Sequence, residues 1–446
     1  MTGESTSRRG VGYYCELVLT LLVILSIIYT ARFLYVEGYV PQPYLYGSQA
    51  AQYDYEETAF FAHNPGAYTN WLTVYPPLSF IFLRVFSIKQ CYMAYGDISA
   101  SRECDWLGAA ALWGFFFVNI LIAFLVFNKI DKRTAWMRTI ATALGLPCLY
   151  AMERGNLIIP TFTVFMLGHG RILRSAWMRW LFVGLAINFK PYLILTIIGH
   201  FFRRRWRWLE GCAIVSLLIY LVTYVMYGDG NPIQLLSNIA LFTTTDAQGL
   251  FERSIYSSSY VPVMQLIHSN FPLMHFVGSR LIEYLEFGVP LAVNIGKVGI
   301  ALCLGLAMLR PYAVPISRLA AIAVSWVLIS SDPSGYAVMF LFFLVFMEPW
   351  RRPLIIFSLV LCYISCLSYD IMAFTITHQL IHSYLTNREV GYDMGVSVGI
   401  LLRPAMIILI TYALILASLV DLFRAFPRPG LAADGALDHD WVAPAA

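Results

Sequence analysis

Charge is scarce in this chain. Asp, Glu, Lys and Arg make up 13% of its 446 residues, whereas a soluble domain carries about a quarter. A water-facing globular surface of the usual kind is therefore excluded. Metal-ligand spacing is also missing: the eight cysteines show no paired motif. His378 and His382 stand four apart, but no HExxH-type context accompanies them, so they read as a solvated face. The spacing of Cys91 and Cys104 alone does not predict a disulfide, and Cys362 and Cys366 read as packing residues on one helix face. No internal repeat is visible, which weighs against many transporter folds. The long apolar runs are continuous rather than alternating, so a barrel is excluded and strands are not expected.

Apolar residues fill the space that charge leaves, at 59% of the chain. Runs of about 20 apolar residues recur along the whole length, the mark of spanning helices. The fold class is all-α, a polytopic integral membrane protein in one domain over 1–423, with a polar tail over 424–446 read as a disordered cytoplasmic extension. The run from Tyr13 to Arg32 is too long for a signal-peptide core and is taken as a retained helix. Arg8 and Arg9 before it place the N-terminus in the cytoplasm. Residues 36–105 then lie outside, with a short juxtamembrane helix over 76–88 that carries Arg84.

Lys129, Lys132 and Arg133 mark the next inner turn, and Arg171, Arg174 and Arg179 the one after. The segment 180–202 has basic residues on both flanks: Arg179 on one side, Arg203 to Arg205 and Arg207 on the other. One crossing would put one cluster outside. Two short helices meeting at Lys190-Pro191 keep both inside, and broken helices around a polar turn are how membrane proteins build sites. With a long outer segment over 228–288, the chain is expected to cross about twelve times, both ends in the cytoplasm. Net charge of +4 makes no case for nucleic acid, because the basic residues sit at helix ends where orientation explains them.

The stretch from 53 to 80 concentrates the outer polar residues: Asp54, Glu56, Glu57, His63 and the Tyr75-Pro76-Pro77 turn. Asp54 and Glu57 are three apart on a helix and face a common cavity. A carboxylate held partly out of water gains proton affinity and serves as a general base. Glu153-Arg154-Gly155-Asn156 ends one helix and begins the next, whose N-terminus favours anions. Lys190 sits in Leu-Ala-Ile-Asn-Phe-Lys-Pro-Tyr-Leu, where an ammonium is costly unless it meets a polar cavity or an anion. Asp332-Pro333 repeats the cap-then-proline pattern, for which simple capping is the plainer reading. Arg203 to Arg207 with Trp206 and Trp208 reads as an interfacial anchor.

Taken in order, Asp54 after the first helix, Tyr75-Pro76-Pro77-Leu78, Glu153-Arg154-Gly155-Asn156, and Lys190-Pro191 before an Arg-rich end form a recognisable set. Over residues 45–210 this set resembles glycosyltransferase family 87, the polyprenol-phosphate-mannose-dependent α-mannosyltransferases of the GT-C superfamily. The chain departs from that pattern at Ser334-Gly335-Tyr336, where many members carry a Trp- and His-containing stretch.

The resemblance implies a GT-C-like membrane fold and an inverting hexosyltransferase of the bacterial inner membrane, active on the outer face. It implies a polyprenyl-phosphate donor, with mannose as the sugar, and a lipid or glycan acceptor. Asp54 takes the place of the catalytic base, and Lys190 with Arg154 the phosphate side. Glu57, His63, Tyr75, Glu153, Asn156 and Asp332 are expected to line the site. No metal or other cofactor is expected. A flippase of lipid-linked sugars and a polysaccharide polymerase are the rival readings.

Overall fold

The computed structural model describes residues 3–44, 51–93, 98–170, 172–242, 250–269, 273, 277–383 and 386–425. Arg171 and most of the expected tail lie outside them. Among the described residues helices predominate. Five are long and apolar enough to cross a membrane, with segments Val11–Glu37, Trp106–Ile130, Trp206–Tyr227, Ser279–Leu309 and Gly399–Ala425, and six shorter apolar helices accompany them. The protein is membrane-embedded, with full-length spans at fewer places than the twelve expected.

The chain begins with α1 (Gly3–Glu37), then α2 (Tyr53–His63), α3 (Pro77–Val85) and α4 (Ile98–Cys104). Pro76 in extended conformation and Pro77 at the first helical position start α3. α5 (Trp106–Ile130) is capped by Asp105, whose carboxylate accepts from the Gly108 N–H at 3.0 Å. The same carboxylate accepts from the Ile88 N–H at 3.0 Å and the Tyr92 hydroxyl at 2.7 Å, which ties the polar segment to the bundle. Cys91 and Cys104 are joined in a disulfide, a bond their spacing alone did not predict.

The apolar stretch leading to Glu153 forms two helices, α6 (Ala135–Ala143) and α7 (Leu146–Glu153). Gly145 makes the break. A Cβ there would lie 2.2 Å from the Ala141 carbonyl oxygen, and the Leu146 N–H bonds the Cys366 carbonyl at 3.0 Å instead of its own helix. α8 (Ile158–His169), α9 (Ala176–Phe189), α10 (Leu195–Phe202) and α11 (Trp206–Tyr227) follow. The chain reverses at Lys190-Pro191. Arg179, early in α9, and His200, late in α10, both lie against Trp208 at the start of α11, at 5.8 and 3.4 Å. α9 and α11 run parallel, Trp180 against Gly211 and Gly184 against Ser216, so the chain must return between them.

The long polar segment contains α12 (Gln234–Phe242), α13 (Leu250–Ile255) and α14 (Val261–Ile267). α15 (Ser279–Leu309) is longer than its apolar run, and α16 (Ile316–Ser330) follows. After a short 3-10 turn at Gly335–Ala337, α17 (Val338–Phe346) is the centre of the bundle: all nine residues are buried. A helix apolar all round belongs in such a place. Phe162 and Phe165 of α8 and Phe127 of α5 pack on its rings.

α18 (Pro353–Ser365) ends several residues before its expected limit. A two-stranded antiparallel ribbon then replaces the expected loop: β1 (Met372–His382) and β2 (Glu389–Ser397). The described fold stays mostly helical, as expected, and this ribbon is a small addition to it. The physical signal is period-two alternation, with Val390, Tyr392, Met394 and Val396 on one side of β2, overlooked because it lies between apolar runs. His378 bonds Asp393 at 2.6 Å across the ribbon, and His382 bonds Asn387 at 2.8 Å. α19 (Gly399–Ala425) closes the described chain.

Candidate functional site

The start of α2 is docked on the turn between α7 and α8. The Gln52 N–H donates to the Glu153 carbonyl at 2.7 Å, and the Asp54 N–H to the Arg154 carbonyl at 3.1 Å. These carbonyls occupy helix N–H groups that have no partner inside α2. The close approach requires Gly155, which has φ +64°. A Cβ on it would lie 3.0 Å from Gln52 Cα and Tyr55 Cβ.

That turn sends both flanking side chains to Asp54. Arg154 Nη2 reaches Oδ1 at 2.7 Å, and Asn156 Nδ2 reaches Oδ2 at 2.7 Å. Asn156 is fully buried. Its Oδ1 accepts from the Ile158 N–H at 2.9 Å, which fixes the amide orientation, while its Nδ2 also lies 2.9 Å from the Tyr336 hydroxyl and 3.3 Å from that of Tyr75. Both carboxylate oxygens of Asp54 are thus held in one plane, yet each has accepted one bond of about two available.

Lys190 comes from the opposite side. It ends α9 in extended conformation, and Pro191, lacking an N–H, starts the next turn. Its ammonium lies 4.5 Å from the centre of the Tyr75 ring and 5.9 Å from that of Tyr336. Ring faces attract a cation without neutralising it. Among the described residues Lys190 has no salt bridge. Asp54, Asn156, Tyr75, Tyr336 and Lys190 therefore form one connected group, assembled from α2, the segment before α3, the α7–α8 turn, the α9–α10 turn and the 3-10 turn before α17.

The other expected residues are distributed unevenly. Arg154, expected beside Lys190 at a phosphate, is placed on Asp54 instead, with its guanidinium 5.5 Å from the Tyr53 ring. Glu57 accepts from the Tyr53 hydroxyl at 2.9 Å, one helical turn from Asp54, and burial raises its proton affinity. Burial also pushes Glu153 up to about 8, against the opposing field of Arg154, so it carries a proton at neutral pH. His63 is not in this group. It sits at the far end of α2, bonded to Ser87 Oγ at 2.8 Å and stacked on Tyr92. Asp332 accepts from Ser257 Oγ at 2.8 Å and is a neighbour rather than a member.

Tyr336 was not among the expected site residues, and its hydroxyl is central. Tyr150 and Tyr256 were also missed. Tyr150 stands three residues before Glu153 on α7, and that helical spacing was the available signal. Nothing local marks Tyr256, which arrives from the long polar segment through its carbonyl bond to the Gly335 N–H at 3.0 Å.

Among the described residues there is no group of three or more His, Cys, Asp and Glu placed to hold a metal ion. Arg154 is matched by Asp54 at 2.7 Å, which leaves Lys190 as the cation of the group without an ion pair among the described residues. The group can accept a proton at Asp54 and receive an anion at Lys190. No protein-family model matches the chain, and no match is found among curated proteins or solved structures.

Proposed function

We propose that this protein is a membrane glycosyltransferase that moves a sugar, mannose in the first instance, from a polyprenyl-phosphate donor to a lipid- or glycan-linked hydroxyl. One observation carries the reading: an oriented carboxylate, Asp54, and a lysine without an ion-pair partner, Lys190, share one tyrosine-walled group. The order of residues that resembles glycosyltransferase family 87 supports it independently.

In this reading the donor phosphate sits at Lys190 and the lipid tail runs between helices. Asp54 accepts the acceptor's hydroxyl proton as that oxygen bonds the anomeric carbon. The bond from that carbon to the phosphate oxygen breaks on the opposite face, so configuration inverts. The departing monophosphate gains its second negative charge beside Lys190. Arg154 and Asn156 hold the Asp54 carboxylate in orientation rather than touching the phosphate. Asp54 and Lys190 can meet the charge demands of the step without a metal. The chain crosses a bacterial inner membrane about twelve times, short helices included, with both ends in the cytoplasm and the Asp54 end outside.

The test is incubation of the purified protein with polyprenyl-phosphate mannose and a cell-envelope lipid extract. Mass spectrometry should show a hexose increment that wild type produces and Asp54→Asn does not. Equal transfer by both proteins rules out the mechanism. Donor movement across vesicles without any increment would favour the flippase. Orientation is checked with single cysteines placed at positions 64 and 240, which an impermeant reagent should label from outside, and at 131 and 205, which it should not.

A further inference from the structure

Beyond Tyr336 the aromatic wall continues. Tyr336 stacks on Tyr150 with ring centres 6.0 Å apart, and Tyr150 meets Tyr256 edge-on at 4.5 Å and Tyr44 at 6.3 Å. Three side chains around this wall carry polar atoms without a hydrogen-bond partner among the described residues: both amide atoms of Gln42, both carboxyl oxygens of Glu153, and the hydroxyl of Tyr256. Gln42 is 2% and Tyr256 3% exposed.

The three belong to one neighbourhood. Glu153 follows Tyr150 by one turn of α7. The Gln42 carbonyl accepts from the Asp370 N–H at 3.2 Å, Asp370 pairs with Arg403 at 3.1 Å, and Arg403 lies 5.1 Å from the Tyr256 ring centre. Buried polar atoms are nearly always paired, so five orphans around one set of rings call for an explanation. Donors and acceptors are mixed here, and the rings supply flat apolar faces. That combination suits a neutral polyhydroxylated ring, whose hydroxyls both donate and accept and whose C–H faces are apolar. A second anion is a poorer fit, because Arg403 already has its carboxylate.

We infer that Gln42, Glu153 and Tyr256, with the faces of Tyr150 and Tyr44, form a saccharide-binding subsite that holds the acceptor's sugar ring. The assignment to the acceptor rests on the proposed transferase reading. Lys190 would take the donor phosphate. Glu153 immediately precedes Arg154, which holds Asp54. The subsite selects an acceptor by its ring hydroxyls and leaves its aglycone free.

The test uses full-length protein in lipid nanodiscs, titrated by calorimetry with the methyl α-glycosides of mannose, glucose and galactose. Wild type should bind at least one of them. Gln42→Leu, Glu153→Gln and Tyr256→Phe should each weaken that binding about 10-fold or more, the range for losing a hydrogen bond to a buried polar group. Thermal unfolding of the same variants separates a binding role from a structural one. Removing an orphaned polar atom should leave Tm unchanged or raise it, whereas loss of a structural bond lowers it.

The inference is overturned if wild type binds no glycoside, which would leave the orphans to water. It is equally overturned if the three variants bind as wild type does, whether or not wild type transfers sugar. If the variants lose glycoside binding but wild type transfers no sugar from any polyprenyl-phosphate donor offered, the subsite stands. The transferase reading then fails on its own.

Discussion

Two polar regions lie at opposite ends of the bundle, and they are built on opposite plans. At the start of α16, Arg318 is 3% exposed and its charge is fully matched. Its guanidinium bonds Glu348 through Nε at 3.0 Å and Nη2 at 2.6 Å, and Asp421 through Nη1 at 2.8 Å; Arg352 completes the pairing of Asp421. Nearby, Arg138 grips Glu16 at 2.7 and 3.0 Å, and Tyr363 donates to Glu16 at 3.1 Å. Three arginines face three carboxylates there. About 20 Å away along α16, by its rise per residue, Lys190 stands without an ion pair among the described residues, and buried polar atoms lie unpaired among them. A saturated network leaves nothing to bind and holds α1, α6, α16, α18 and α19 in register. An unbalanced one is complete only with a ligand, which is why chemistry is sought at the Asp54 end.

The sharpest way to break this contrast is to neutralise one charge at each end. Asp54→Asn keeps the shape, and its one carbonyl oxygen still serves one of the two donors, Arg154 or Asn156. Transfer should fall by about 10²–10⁴-fold, the usual loss on removing a general base, while Tm changes little. Arg318→Met should do the reverse. It strands the buried Glu348 and leaves Asp421 with Arg352 alone, and breaking a buried pair by removing one partner costs about 3–5 kcal/mol. The expected result is a large drop in Tm and in folded yield. If Asp54→Asn unfolds the protein or Arg318→Met leaves it stable, the division into working and holding regions is wrong.

Lys190→Met probes the unbalanced end by itself. A charge-assisted contact to a phosphate is worth about 1.5–3 kcal/mol, so donor affinity and maximal rate should fall together by roughly 10- to 150-fold. Stability should hold, because Lys190 has only ring faces to lose. Arginine should rescue only in part, since its planar fork needs more room than a point charge. A variant within a factor of two of wild type in donor titration would make Lys190 a mere anchor.

Much of the Asp54 end was legible. Asp54, Asn156 and Lys190 stood out because each is polar beside long apolar runs, and Lys190-Pro191 because basic flanks on both sides forbid a single crossing. His63 was misplaced by proximity in sequence: nine residues along a helix carry a side chain about 13 Å away. Tyr336 stayed hidden because a tyrosine is ordinary in a membrane chain, and only the fold brings its hydroxyl to Asn156. The far network was invisible for a different reason. Glu16 lies near the start of the first apolar run, and Arg138, Arg318, Glu348 and Asp421 near helix ends, where a lone charge reads as an anchor, and their pairing is wholly tertiary.

The smallest effect comes from a third buried carboxyl, also at the Asp54 end. Glu56 is 3% exposed, and neither of its oxygens has a hydrogen-bond partner. Burial pushes it up to about 8, Arg102 opposing and Asp105 adding to the shift. The folded protein therefore keeps a proton on Glu56 up to about pH 8, while the unfolded chain releases it at the ordinary value near 4.5. Between those limits the folded state binds more protons, so stability is greatest at the acid side and falls as pH rises. One such group contributes a slope of about 1.4 kcal/mol per pH unit at most. Glu153 contributes in the same direction for the same reason. Glu56→Gln stays neutral in both states, so it should flatten part of the fall in Tm between pH 5 and 8 and leave the remainder to Glu153. The effect should be largest at pH 8, where wild type is least stable, and nearly absent at pH 5. Parallel Tm curves for Glu56→Gln and wild type across this range would mean that Glu56 shares no such proton. The uncompensated groups of the Asp54 end would then be fewer than the geometry indicates.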